Sequence, residues 1–247
     1  YELYLSIMPL PKINTPTYEL ELPSTGKKIK YRPFLVREEK ILLMALESED
    51  MKQITDAVVS ILSDCIQTRG VKVADLSTFD IEYLFLNIRS RSVGESVEVN
   101  ITCPDDGKTA VLTEIDLDSI KVEKVKGHTN TIKLDDNLSM RLKYPSLEQF
   151  IDSNFETNSE QSEVGRSLDM VKACIDIIYD AEESWSAKDC TKKELEEFLD
   201  QLNTKQFKEI ENFFVTMPKL SHKVTVVNPN TKVKSEVVLE GLASFFS

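Results

Sequence analysis

The sequence has few of the residues that build catalytic and cofactor sites. Its 247 residues include only 7 glycines, 2 histidines and 4 cysteines. The glycines are widely separated, whereas dinucleotide-binding loops and P-loops both need glycines within a few residues of one another. The sequence contains no C-x-x-C or H-x-x-x-H pair of the kind that holds structural zinc, and no G-x-S-x-G motif of a serine hydrolase. We therefore expect a protein that is not an enzyme, with no catalytic residues, no metal and no cofactor.

Positive charge and long apolar runs are also scarce. The 42 acidic residues outnumber the 30 basic ones, for a formal net charge of -12. Nucleic acids and anionic membrane surfaces both attract clustered lysine and arginine, so neither is an expected partner. The longest apolar run, residues 41–46, is far too short to cross a bilayer. The first residues lack the basic region of a secretory signal, and scattered cysteines fit a reducing compartment, so we expect an intracellular protein.

Carboxylates are the one abundant type of catalytic side chain. Two of them could form an acid–base pair like that of a glycosidase, and sequence spacing does not reveal carboxylates that meet only in the fold. A hydrolase that depends on such a pair is therefore kept as an alternative, to be recognised by raised pKa values. The lysines interspersed among the acids favour solvated helix faces instead.

Alternation of polar and apolar residues predicts four β-hairpins. The second and fourth resemble each other, because each has alternating valines before a turn that contains proline. This likeness raises the hypothesis of two similar halves, against the alternative of a chance match between short hairpins. The predicted strand pairs are residues 17–22 with 27–31, 96–101 with 109–115, 131–134 with 138–144, and 222–227 with 233–239.

Helical patterns lie between these hairpins. The segment 79–88 is apolar on nearly all sides, which places it either at the centre of the core or partly in a partner interface. Thr191 and Glu194 form a capping box, and Thr204 is the predicted cap of the last helix. The predicted fold class is α+β, with antiparallel β-hairpins packed beside helical layers. The predicted helices cover residues 37–47, 54–66, 79–88, 147–151, 167–179 and 192–202, with a further one after residue 204.

We divide the chain into three parts. Residues 1–16 are interrupted by prolines and predict an extended N-terminal arm. Residues 17–145 form a domain of hairpins and helices, and residues 146–247 form an acidic helical region that ends in a β-hairpin. Within it, residues 154–165 are interpreted as a loop, and residues 155–200 carry 13 acids against 5 bases. Those acids are either a solvated face or a surface that steers a client protein.

Apolar residues at both ends of the chain are candidates for partner binding, since termini are usually polar and frayed. Such segments either fold back on the core or dock into another chain, as extended peptides do. The aromatic helix around residue 83 is a further candidate. The predicted partner-binding residues are Leu3, Tyr4, Leu5, Ile7, Met8, Leu10, Tyr83, Phe85, Phe245 and Phe246.

Eight short motifs along the chain carry a resemblance. They are P-L-P at 9–11, Y-E-L-E-L-P-S-T-G-K at 18–27, Y-R-P-F at 31–34, E-E-K at 38–40, F-D-I-E-Y-L-F-L-N-I-R-S at 79–90, V-G-E at 93–95, L-E-G-L at 239–242 and F-F at 245–246. Together they resemble a known family, the baseplate hub assembly proteins of T4-like contractile-tailed bacteriophages.

The resemblance implies a non-enzymatic assembly factor, or chaperone, made late in infection and acting in the host cytoplasm during virion assembly. The implied partners are the phage baseplate hub and tape-measure proteins, with self-association left open. The alternative is a structural subunit that is retained in the baseplate.

One turn departs from the pattern that the resemblance implies. The resemblance implies a C-P-x-C-G turn, similar to a zinc knuckle, at the second hairpin. Here Asp106 replaces the second cysteine of that turn, which runs from Cys103 to Gly107. We therefore expect no metal at this position, since an Asp-Gly turn can close a hairpin without one.

Overall fold

The computed structural model describes residues 13–48, 50–147, 149, 163–241 and 244. Six helices and eleven strands lie in these ranges, and all strand pairs are antiparallel, which confirms the α+β class. The helices are α1 (Val36–Glu47), α2 (Met51–Cys65), α3 (Thr78–Val93), α4 (Glu163–Cys174), α5 (Lys192–Asp200) and α6 (Thr204–Thr216). The strands are β1 (Tyr18–Glu21), β2 (Lys28–Tyr31), β3 (Ser96–Thr102), β4 (Ala110–Asp116), β5 (Lys121–Glu123), β6 (Thr131–Lys133), β7 (Ser139–Leu142), β8 (Ile175–Tyr179), β9 (Ser184–Ser186), β10 (Lys219–Val227) and β11 (Lys234–Glu240).

The strands form four small sheets, and all four predicted hairpins are confirmed. Strands β1 and β2 pair alone, as do β3 and β4. The hairpin β10–β11 is extended by β5, and the hairpin β6–β7 by β8 and β9. These added strands are three to five residues long. Strands β5 and β9 were not predicted, because three residues are too few to show an alternating pattern.

The buried apolar residues form three clusters. The first lies between the β1–β2 hairpin and helices α1 to α3, and the second between the β3–β4 and β10–β11 hairpins. The third joins β6, β7 and β8 to helices α4, α5 and α6. Helix α3 supplies Phe85 to the first cluster and Leu86 to the second. Its all-round apolar surface is therefore explained by a central position in the core.

One predicted helix is only half helical. The chain is helical in α4 as far as Cys174, but Ile175–Tyr179 is the strand β8. This segment pairs with β7 on one side and β9 on the other. Its three isoleucines favour a pleated strand, and the pairing satisfies the backbone on both sides. The predicted helix over 167–179 is thus wrong in its second part.

The predicted ends of other segments need smaller corrections. Asn203, not Thr204, caps α6, since its side chain accepts a hydrogen bond from the amide of Gln206 at 3.0 Å. The capping box of Thr191 and Glu194 on α5 is confirmed. Helix α4 already begins at Glu163, inside the segment 154–165 that was interpreted as a loop. The short helix predicted over 147–151 lies mostly outside the described residues.

The cores cross the boundary that was placed near residue 145. The second cluster combines residues of β3 and β4 with residues of β10 and β11. The third combines β6 and β7 with helices that follow residue 160. The second and third clusters therefore each combine residues from both sides of this boundary.

Three of the hairpin turns share one backbone geometry. Each starts at the residue before a proline, and the amide of its fifth residue donates to the carbonyl oxygen of its first at 2.8–2.9 Å. The fifth residue has a positive φ, which glycine adopts easily and other residues do not. The turns run from Leu22 to Gly26, from Cys103 to Gly107 and from Asn228 to Lys232, with fifth-residue φ values of 70°, 63° and 63°.

Candidate functional site

The structure describes two of the ten predicted partner-binding residues, Tyr83 and Phe85. Phe85 is fully buried, and its ring centre lies 5.3 Å from that of Phe34. It is therefore a core residue, which corrects its assignment to a binding surface. Tyr83 is half-buried and packs against both the first and the second cluster. The other eight lie outside the described residues and stay predictions: Leu3, Tyr4, Leu5, Ile7, Met8, Leu10, Phe245 and Phe246.

Helix α1 carries an apolar surface that the sequence analysis missed. A surface helix normally turns its polar residues outward, but α1 and the residue before it expose five large apolar side chains. Met44 is 71% exposed and Leu43 is 53% exposed. Large apolar side chains that are exposed on one helix are candidates for protein contact. We call this surface the α1 face and define it by Leu35, Val36, Ile41, Leu43 and Met44.

A signal for the α1 face was present in the sequence. Residues 41–46 are six consecutive apolar residues, whereas a helix with 3.6 residues per turn can point only part of such a run at one core. In the structure Leu42 and Ala45 are buried, while Ile41, Leu43 and Met44 are exposed. An unbroken apolar run inside a helix thus predicts a second apolar side.

The start of α1 is fixed by a buried ion pair. The Glu38 carboxylate is fully buried and accepts hydrogen bonds from Nη2 of Arg32 at 2.9 Å and from Nε of Arg37 at 2.5 Å. It also accepts one from the amide of Leu35 at 2.7 Å, which satisfies a free donor of the first helical turn. Burial alone raises the pKa of Glu38, but these hydrogen bonds outweigh it and lower the pKa to about 2.

The opposite side of α1 is anchored in the first cluster. Leu42 is buried there, and Leu46 packs against the same cluster. Just before the helix, the amide of Phe34 donates to the hydroxyl of Ser92 on α3 at 2.6 Å. The α1 face therefore belongs to a helix that is held at its start and along its length.

The strongest aromatic cluster surrounds His128. Its ring stacks on Tyr144 and Phe213, with ring centres 5.7 Å and 5.3 Å apart. Both ring nitrogens have partners at 2.9 Å, since Nδ1 contacts the hydroxyl of Thr216 and Nε2 that of Tyr144. Burial lowers the pKa of His128. The neutral ring is thus enclosed and hydrogen-bonded on both nitrogens, and it has no free nitrogen to offer a substrate.

Three buried cysteines, Cys65, Cys103 and Cys174, have the features of structural thiols. Burial raises the pKa of Cys65 to about 11 and that of Cys174 to about 12. Burial also raises the pKa of Cys103, with further contributions from the neighbouring carboxylates of Asp105 and Asp106. A nucleophilic cysteine needs a lowered pKa and access to solvent, so these three are protonated core residues at neutral pH.

The carboxylates with shifted pKa values do not form the acid–base pair of a hydrolase. Such an enzyme needs a carboxyl group whose pKa is raised, but hydrogen bonds lower the pKa in each of the six shifted cases. None of these six can act as the general acid. The six are Glu38, Asp50, Asp106, Asp135, Asp180 and Glu194.

The described ranges contain neither a metal-binding cluster nor a membrane-spanning helix. No three His, Cys, Asp or Glu side chains come together there in a way that could hold a metal ion. None of the helices there combines the length and the hydropathy that a membrane span requires.

Comparison with known proteins identifies a family for this chain. A family model described as "T4 bacteriophage base plate protein" matches residues 15–247, which is nearly the whole chain. No curated protein and no solved structure gives a significant match.

Proposed function

The chain belongs to the T4 bacteriophage base plate protein family, and we propose that it is a non-enzymatic assembly factor for the hub of the phage tail baseplate. A baseplate-related role and interaction with other phage baseplate proteins follow from the family. The proposal adds that the chain acts as a chaperone in the host cytoplasm. Its clients are the hub protein, the tape-measure protein or both.

The α1 face is the observation that carries this proposal. Burial of apolar surface contributes about 25 cal/mol of free energy per Å². A partner therefore gains most by covering strongly exposed side chains such as Met44 and Leu43. The face lies on a helix that is already ordered, so little conformational entropy is lost on binding. The net charge of -12 keeps such a protein soluble while this apolar surface is exposed.

The proposal is tested by recovering partners from infected cells. We expect that a tagged copy of the full chain copurifies with hub or tape-measure proteins, identified by mass spectrometry. We also expect that purified particles lack the chain, because a chaperone leaves its client. If particles contain the chain at a fixed ratio to the other baseplate proteins, it is a retained structural subunit instead.

Matched variants test the α1 face itself. Met44→Glu and Leu43→Glu place a charge in the face, and we expect each to lower partner recovery at least about tenfold. Val215→Glu is the control, because Val215 is 72% exposed on α6, as Met44 is 71% exposed on α1. Substitutions at such exposed sites change stability little. Equal recovery with all three variants would show that partners bind elsewhere.

A further inference from the structure

The tips of the β3–β4 and β10–β11 hairpins are bound to each other through side chains. The amide Nδ2 of Asn228 donates to Oδ2 of Asp106 at 2.9 Å and to both carboxylate oxygens of Asp105 at 3.1 Å. The hydroxyl of Thr231 donates to Oδ2 of Asp105 at 2.5 Å. These contacts join residues more than 120 positions apart. We call this network of four side chains the hairpin clasp.

The two turns occupy equivalent positions in their hairpins. Both have the geometry described above, with a proline second and a residue of positive φ fifth. The first residue of each turn also lies on the same buried side as the inward-facing residues of the strand before it. Val99 and Ile101 are buried before Cys103, and the same two-residue spacing leads along β10 to Asn228, which is fully buried.

Paired turns of this kind are the scaffold of a zinc site. Two loops that each supply a first and a fourth residue, in the pattern C-x-x-C, place four ligands around one Zn²⁺. Here the first and fourth residues are Cys103 and Asp106 in one turn, and Asn228 and Thr231 in the other. A direct hydrogen bond joins Asp106 to Asn228, so a residue at one of these positions in the first turn contacts a residue at one of them in the second.

The residues present do not fit zinc. Structural sites use cysteine thiolates and histidine nitrogens, whereas three of these four positions hold Asp, Asn and Thr. Asn228 directs its N–H donors, not its oxygen, at the opposite turn. That oxygen accepts the amides of Asn230 and Thr231 within its own turn, at 2.9 Å and 3.3 Å. The neutral amide N–H group of Asn228 does not cancel the negative charge of the carboxylates as a cation would, but it supplies the hydrogen bonds that they accept.

We propose that the hairpin clasp is the metal-free counterpart of a paired zinc-knuckle site, in which Asn228 and Thr231 bind the carboxylates of Asp105 and Asp106 and so do the work of the ion. Hydrogen bonds to charged acceptors are shorter and stronger than those between neutral groups. The clasp therefore fixes the two hairpins against each other, with the second hydrophobic cluster beneath them. It also makes the fold independent of zinc supply.

The native chain supplies the first test. We expect less than about a tenth of an equivalent of bound zinc, and the same Tm with and without a chelator. Asn228→Ala is expected to lower Tm and to speed amide hydrogen exchange at Gly107 and Lys232, in both turns at once. Asn230→Ala is the comparison: it removes one hydrogen bond between neutral groups across the tip, to Thr109 at the exposed rim, so we expect a smaller effect than from loss of the bonds to the carboxylates. One equivalent of zinc in the native chain, lost in Cys103→Ser, would overturn the proposal.

A converted chain supplies the second test. The triple variant Asp106→Cys, Asn228→Cys, Thr231→Cys keeps Cys103 and completes four thiolates at the four ligand positions. Under reducing conditions we expect it to bind one equivalent of Co²⁺ with the absorption of a tetrahedral thiolate site. We also expect Zn²⁺ to raise its Tm, because metal binding stabilises the folded state.

Two controls make the second result decisive. Adding Cys103→Ser to the triple variant leaves three thiolates, and we expect the tetrahedral spectrum to be lost. Far-ultraviolet circular dichroism shows whether the triple variant folds without metal. A folded triple variant that binds no metal would show that the four positions do not converge, and the equivalence with a zinc site would be wrong. If the triple variant is unfolded without metal, folding on addition of Zn²⁺ supports the proposal and failure to fold contradicts it.

Discussion

At the scale of single residues, Glu38 is a buried carboxylate whose negative charge stabilises the fold. Its side chain is 1% exposed and pairs with Arg32, which is itself 11% exposed. A buried pair of this kind is costly to break, because the remaining charge is left without a partner in a region of low dielectric. The pair therefore links the start of α1 to the strand that precedes it.

Glu38 predicts a specific loss of stability in acid. Its pKa is about 2 in the folded chain against 4.5 ordinarily, so the stabilisation is complete above pH 4.5 and is lost as the pH falls toward 2. The lowered pKa corresponds to on the order of 3 kcal/mol at neutral pH. In urea unfolding, Glu38→Gln should be less stable than the native chain at pH 7, with the difference shrinking below pH 4. Glu39→Gln, on the exposed side of α1, should stay within about 0.5 kcal/mol of the native chain at every pH.

Lys232 predicts a gain of stability. Its φ is 63°, the same value that Gly107 has at the equivalent position of the β3–β4 turn. A residue with a side chain loses about 1–2 kcal/mol in this left-handed backbone conformation. The greater flexibility of glycine in the unfolded chain offsets part of the gain from replacing it, so Lys232→Gly should raise the free energy of unfolding by up to about 1 kcal/mol. Gly107→Ala should lower it by a similar amount, and since a Cβ there meets nothing within 4 Å, the effect comes from the backbone. A loss of stability in Lys232→Gly would contradict the shared turn geometry.

At the scale of elements, the stack around His128 connects α6 to the loop before β6 and to the residues after β7. Phe79 at the start of α3 also joins it, since its ring centre lies 4.9 Å from that of Tyr144. The stack therefore joins the helix at the centre of the first two clusters to the third cluster. A positive charge on the His128 ring would have to be desolvated between Tyr144 and Phe213.

This arrangement predicts that stability depends on pH near neutrality. Burial lowers the folded pKa of His128 below its ordinary 6.5, so the unfolded chain binds the proton more readily. Stability is then complete above pH 6.5 and falls as the pH drops below it. His128→Phe keeps an aromatic ring in the stack but cannot titrate. Thermal unfolding between pH 5 and pH 7.5 should show a smaller pH dependence in His128→Phe, and an unchanged dependence would exclude His128 as its source.

The success of prediction from sequence also differed between elements. The hairpins could be predicted because each carries its alternation and its turn within about twenty residues. The segment Ile175–Tyr179 could not be separated from α4 because its helical spacing was equally good, and only pairing with β7 and β9 decides for a strand. The α1 face is a third case, because residues 41–46 show an unbroken apolar run but do not show which of its side chains the core leaves exposed.

At the scale of the whole molecule, the arrangement of the cores lay beyond the sequence. The second cluster brings β3 together with β10, and no local pattern records a contact across such a distance. The hairpin clasp could not be predicted for the same reason, since Asp106 and Asn228 are common turn residues and only the folded structure brings them into contact. A shift in charge along the chain does not record this packing in space, so composition could not predict which segments share a core.

The distance along the chain between these two hairpins has a consequence for synthesis. Roughly a hundred residues separate Asp116, where β4 ends, from Lys219, where β10 begins, and translation adds roughly 5–20 residues per second. The nascent β3–β4 ribbon therefore waits on the order of 5–20 s before its partner hairpin leaves the ribosome. A two-stranded ribbon is only marginally stable alone, so Val99 and Ile101 stay accessible to general chaperones and to aggregation throughout that interval.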